Sequence, residues 1–140
     1  MELTGIEVDP YQVYTDLHSR YDHALYHTRG LDGCRYVAGD VMEHQDRYDV
    51  ITWFLPFVTE YALRKWGLPG SLFRPEPLLR HVFGLLARAG VLILSNREEE
   101  EREIQAQLLR NLGIPFRSPD RHESDWMAYA PRYVFVVEKP

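Results

Sequence analysis

At 140 residues, with 45% hydrophobic and 26% charged side chains, the chain has the size and composition of a single globular domain (1–140) with a real core. Its net charge of −5 gives no electrostatic reason to expect nucleic acid or an anionic membrane as partner, and no apolar run approaches the roughly 20 residues that span a bilayer. The start, MELTGIEVDP, lacks the basic and apolar regions of a signal peptide, and Cys34 as the single cysteine excludes an internal disulfide, so a reducing, cytoplasmic setting is expected.

Residues 2–8 (ELTGIEV) read as a short strand closed by Asp9-Pro10, where Asp9 can cap a helix and Pro10 suits its first turn. Val13, Leu17, Tyr21, Ala24, Leu25 and Thr28 then recur at three- and four-residue spacing, one face of an amphipathic helix with Gly30 as its stop. Tyr36-Val37-Ala38 predicts a strand leading into Gly39-Asp40. A second run, from Tyr48-Asp49 through Val50, Ile51, Thr52, Trp53 and Phe54, is the kind of β-branched and aromatic stretch that suits a buried parallel strand. A helix is expected over 57–66, ended by Gly67, followed by a loop holding Pro69-Gly70. A strongly apolar helix should run from Pro75 to Ala89-Gly90, and Val91–Leu94 is the clearest buried strand. Ser95 or Asn96 can cap the next helix, whose acidic first turn, Glu98–Glu101, complements the helix dipole and whose stop is Gly113. A weak strand near 115–118 and the run YVFVVE (133–138) complete a C-terminal hairpin. Helices alternating with apolar strands imply an α/β sheet with right-handed crossovers.

The succession GIEVDP, VAGDVMEH, YDVITWF and a long helix into AGVLILSN resembles the class I S-adenosylmethionine-dependent methyltransferases. The resemblance covers nearly the whole chain; each motif is weak alone, and their order and spacing together carry it. It implies a Rossmann-like methyltransferase sheet, mostly parallel with a C-terminal antiparallel hairpin, S-adenosyl-L-methionine (SAM) as cofactor, and methyl transfer to an acceptor. In the family an acid ending the second strand binds the ribose hydroxyls, the position of Glu7, and the next residue, Val8, packs on the adenine. The Gly-Asp pair after the third strand matches Gly39-Asp40: Asp40 would accept from the adenine amino group and Val41 would offer its backbone. The aromatic-Asp pair opening the fourth strand matches Tyr48-Asp49, and that strand's end, near Trp53, would line the methyl-donor pocket. These roles suit the chemistry. A ribose presents two vicinal hydroxyl donors that a carboxylate can accept together, and a carboxylate is the stronger acceptor for an amino group. The plainer alternative is that Glu7 and Asp40 are turn-forming or capping acids at strand ends.

One departure is large. The family's first strand and glycine-rich loop (GxGxG), which meets the methionine part of the cofactor, should precede GIEVDP, where only Met1 to Thr4 stand; Gly30-Leu31-Asp32-Gly33 lies too late to substitute. The expectation is a sheet incomplete at the N-terminus, with two interior strand edges unpaired where the family places that strand. Two functions follow from this. One is a SAM-dependent methyltransferase, or a truncated portion of one, acting on a small-molecule acceptor. The other is a non-catalytic binding or assembly module that completes its sheet with a partner chain or a second copy. Trp53, Phe54, Phe57, Trp66 and Trp126 could wall an acceptor pocket, although aromatics more often serve the core. His18, His23 and His27 lie on the first predicted helix, and His23 and His27 are one turn apart, which permits metal binding, but solvated or half-buried histidines are the expected reading. No residue stands out as a general base, and alignment of donor and acceptor alone can drive much of a methyl transfer.

Overall fold

The computed structural model describes residues 1–119, 121–123 and 130–140. The chain forms two compact units, Met1–His44 and Gln45–Pro140. Among the described residues no helix is long and apolar enough to cross a membrane.

The first unit is a β-α-β element. Strand β1 (Leu3–Glu7) and strand β2 (Cys34–Ala38) pair in parallel, Leu3 opposite Cys34 through Glu7 opposite Ala38. Helix α1 (Arg20–Thr28) connects them. It begins ten residues later than the sequence predicts. Ser19, not Asp9, is its N-cap, in a reciprocal capping box with Asp22. The segment before it turns back on itself, with Leu17 at φ 65° and a bridge between Val13 and Ser19. Local hydrogen bonds of Ser19 and Asp22 therefore override the apolar spacing of Val13 and Leu17, both of which are exposed. The stop at Gly30 is as expected, at φ 75°. Tyr36 lies across Gly5, where a Cβ would come within 3.3 Å of its ring, and stacks edge-on with Tyr21.

The second unit holds the core. Strand β3 (Tyr48–Phe54) pairs in parallel with β4 (Leu86–Asn96), which pairs antiparallel with β5 (Tyr133–Glu138). Leu92, Leu94, Phe135 and Val137 share one face of this sheet and are fully buried. Helices α3 (Pro75–Gly84) and α4 (Glu99–Asn111) pack on β4 and bring Leu79, Val82, Ala106 and Leu109 to the same core. The short helix α2 (Glu60–Lys65), capped by Thr59, starts after the expected position but stops at Gly67 as predicted. The weak strand near 115–118 reduces to a single bridge from Arg117 to Val136, so the antiparallel partner of β5 is β4.

Two boundaries move for tertiary reasons. Helix α3 ends at Gly84 rather than near Gly90 because Lys139 Nζ donates to the carbonyls of Phe83, Gly84 and Leu86 (3.3, 3.3 and 2.7 Å) and Arg47 donates to Gly84. Strand β4 thus begins at Leu86 and carries a bulge: Tyr48 faces Leu86, yet Val50 already faces Val91. Helix α4 is capped by Glu98 in a box with Glu101, while Ser95 and Asn96 are buried in β4.

Among the described residues β1, β2, β3 and β5 each have one strand neighbour, and β4 has two. Pro10 is the only residue of the first unit classed as buried. Amides of β1 and β2 are accordingly expected to exchange with deuterium faster than those of β4 and β5, on the order of a hundredfold. Equal protection in a native-state exchange experiment would show instead that both units open together.

Candidate functional site

Parallel pairing sets the carboxyl ends of β1 and β2 side by side. The Gly39 N–H donates to the Glu7 carbonyl (2.9 Å), so the last residue of β1 and the Gly39-Asp40 turn after β2 meet at one end of the sheet. This is the end at which open α/β sheets bind ligands. Glu7 and Asp40 are both half-buried there.

Each carboxylate also holds its own backbone. Glu7 Oε1 accepts the Asp9 N–H at 2.9 Å, closing the turn after β1. Asp40 caps the short 3-10 turn Val41–Glu43, its Oδ1 accepting the Met42 N–H at 2.9 Å. The plainer role foreseen for both acids is therefore realised, through Glu7 Oε1 and Asp40 Oδ1. Val8, the residue after Glu7, is 40% exposed. Val41 opens the 3-10 turn and is half-buried.

Sequence reasoning missed Arg20. It is the first residue of α1, and its side chain is only 12% exposed. Its guanidinium lies 3.7 Å from Glu7 Oε1 and 3.5 Å from Asp9 Oδ2, and donates to the Asp9 carbonyl (3.3 Å) and to Gln12 Oε1. A cation in the first turn opposes the helix dipole, so the neighbouring acids are what make this placement favourable. The signal was legible in principle, as an arginine directly after an N-cap serine. It was hidden because the helix was expected to start at Pro10. Burial, and secondly the charge of Glu7, push the Tyr36 hydroxyl above its ordinary range.

The remaining candidates are more dispersed. Trp53, in the second unit, is half-buried next to the end of β3 and pairs in register with buried Leu94. Phe54, the last residue of β3, is 68% exposed. Phe57 and Trp66 make an edge-to-face contact at 6.1 Å; Trp126 lies outside the described residues. His23 and His27 belong to α1, whereas His18 precedes it. His23 Nε2 is 2.9 Å from Asp16 Oδ2, and the backbone N–H of His18, above the imidazoles themselves, holds the Asp16 carboxyl below its usual range. Among the described residues no group of three or more His, Cys, Asp or Glu side chains could hold a metal ion.

No family model matches the sequence, and no curated protein matches it. Solved structures do. N-methyltransferase NodS from Bradyrhizobium japonicum, crystallised with S-adenosyl-L-homocysteine, superposes with a TM-score of 0.61 at 14% identity, over 99% of this chain and 67% of its own. A methyltransferase from Pyrococcus furiosus gives 0.61 at 17% identity, over 99% and 62%. Magnesium protoporphyrin IX methyltransferase from Synechocystis, with bound SAM, gives 0.56 at 11% identity, over 99% and 60%. The fold is that of the class I methyltransferases. Within this α/β methyltransferase fold the chain spans 60–67% of the length of these three neighbours. Its sheets, one parallel pair and one mixed set of three strands, are the part of the architecture it holds.

Proposed function

We propose that residues 1–140 are a methyltransferase-like domain, short of the family's first strand and glycine-rich loop, that binds SAM and serves methyl transfer to a small-molecule acceptor. The observation that carries this reading is the pairing of β1 with β2, which sets Glu7 and Asp40 at the same end of adjacent parallel strands in a methyltransferase fold. In this reading Glu7 accepts from the ribose hydroxyls and Asp40 from the adenine amino group. Val8 packs on the adenine ring and Val41 presents its backbone to it. The cofactor supplies the activated methyl group; the chain's residues bind and orient the adenosine. The net charge of −5 argues for a small acceptor over nucleic acid, and the lone Cys34 suits a cytoplasmic setting.

Calorimetric titration with adenosine and with SAM tests it. Asp40→Ala should weaken adenosine by about 1–3 kcal/mol, the cost of leaving a buried amino group without its acceptor. The methionine part should add little affinity, because the residues that meet it in the family have no counterpart here. Tight SAM binding that ignores Asp40→Ala would place the site elsewhere.

The open edges favour a second reading, an assembly module completed by a partner chain or a second copy. Val50 is 58% exposed and shares with Phe54 one face of β3, an edge strand paired only with β4 among the described residues, an arrangement that invites strand addition. Size-exclusion chromatography across concentrations separates the two. A monomer at every concentration that still binds SAM would remove the assembly reading.

A further inference from the structure

We infer that Arg20 is a positioning residue for the ribose-binding carboxylate, an inference that rests on the assignment of Glu7 above. Glu7 stands at the last position of β1, where a carboxylate free to rotate would sample several rotamers and lose entropy on engaging a ribose. Two contacts restrain it, the Asp9 N–H and the Arg20 guanidinium, and both fall on Oε1. Oε2 is thereby left as the oxygen for ligand hydroxyls. Arg20 is itself held. It bonds the Asp9 carbonyl and Gln12, lies 3.5 Å from Asp9 Oδ2, and is rooted in the first turn of a helix closed by the Ser19–Asp22 capping box. The planar guanidinium reaches several acceptors at once, which an ammonium cannot do. The turn from β1 into α1 and the carboxylate at its start are thus fixed by one largely buried cation. Its effect should appear only in the part of the affinity that depends on ribose hydroxyls.

The test uses the full chain and two probes, adenosine and 2′,3′-dideoxyadenosine, titrated by ligand-observed NMR against wild type, Glu7→Gln, Arg20→Met and Arg20→Lys. Circular dichroism checks that each variant is folded. Arg20→Met is expected to weaken adenosine about tenfold while leaving dideoxyadenosine within about twofold, since one charge-assisted contact network is removed. Arg20→Lys, which keeps the charge and loses the fork, should fall between. It also carries the test if the methionine variant does not fold. Equal losses for both probes would make Arg20 a purely structural residue and overturn the inference, as would tighter adenosine binding by Arg20→Met. If Glu7→Gln weakens adenosine and neither arginine variant does, the ribose assignment stands and the role of Arg20 falls. If Glu7→Gln leaves adenosine binding unchanged, the assignment of Glu7 fails and the inference with it.

Discussion

Replacing Phe135 with alanine is expected to lower the unfolding free energy by about 3–5 kcal/mol, the range for removing a buried phenylalanine and leaving a cavity. Phe135 is fully buried, faces Leu94 across the β4–β5 ladder and meets the ring of Phe116 edge-on at 5.5 Å. It therefore joins the sheet to the segment that follows α4. Total stabilities of small domains are about 5–15 kcal/mol, so the change should remove a large share of the whole. Urea denaturation would read it as a fall in midpoint at nearly constant slope. A loss below about 1 kcal/mol would mean that the face carrying Leu92, Leu94 and Val137 is not the principal core.

A second large effect is expected from the smallest possible change at Gly90. A Cβ placed there would lie 2.9 Å from the Ala87 carbonyl oxygen, 3.1 Å from that of Tyr48 and 3.2 Å from that of Asp49. All three are backbone atoms, so no rotamer change can relieve the contact, and the bulge between Leu86 and Val91 must open. Gly90→Ala should cost about 1–3 kcal/mol by overpacking, with Gly90→Val worse. Gly84, at the end of α3, is the control. A Cβ there meets nothing within 4 Å, so Gly84→Ala should be neutral or stabilise by up to about 1 kcal/mol through helix propensity. Thermal unfolding of the two alanine variants side by side checks the pair; similar midpoints would show that the bulge tolerates a side chain. Because the bulge sets the register of β3 against β4, Gly90→Ala would also shift Trp53 relative to Leu94.

The candidate site was legible as residue types and less so as an arrangement. Glu7 and Asp40 could be picked out because each is an acid at the carboxyl end of a short apolar stretch and the two stand in the order that the family resemblance requires. Their backbone bonds to Asp9 and Met42 are also local, within two residues, and agree with the turn-forming role that acids play at such positions. Arg20 carried a local sign, an arginine directly after an N-cap serine, but its contacts to Glu7, Asp9 and Gln12 reach back 8 to 13 positions through a turn that the apolar spacing concealed.

The sequence by itself determined the strands at β1, β2, β3 and Val91–Leu94, the stops at Gly30, Gly67 and Gly113, and the α/β class. Each of these rests on local physics: β-branched and aromatic runs suit pleated, buried strands, and glycine alone reaches positive φ without strain. Only the tertiary structure decided where α3 ends and how β4 begins. Those boundaries depend on Lys139, more than fifty residues away, whose ammonium reaches the Phe83 and Gly84 carbonyls at the helix terminus and that of Leu86 at the start of β4. The start of α1 belongs with them in part. Ser19 and Asp22 are a local cap that could have been read, but the folded-back segment before it is held by Arg20 on Asp9 and Gln12 and by the Val13–Ser19 bridge. Contacts between distant residues leave no periodic trace in the chain, because periodicity records which face of an element is apolar and not what will meet it.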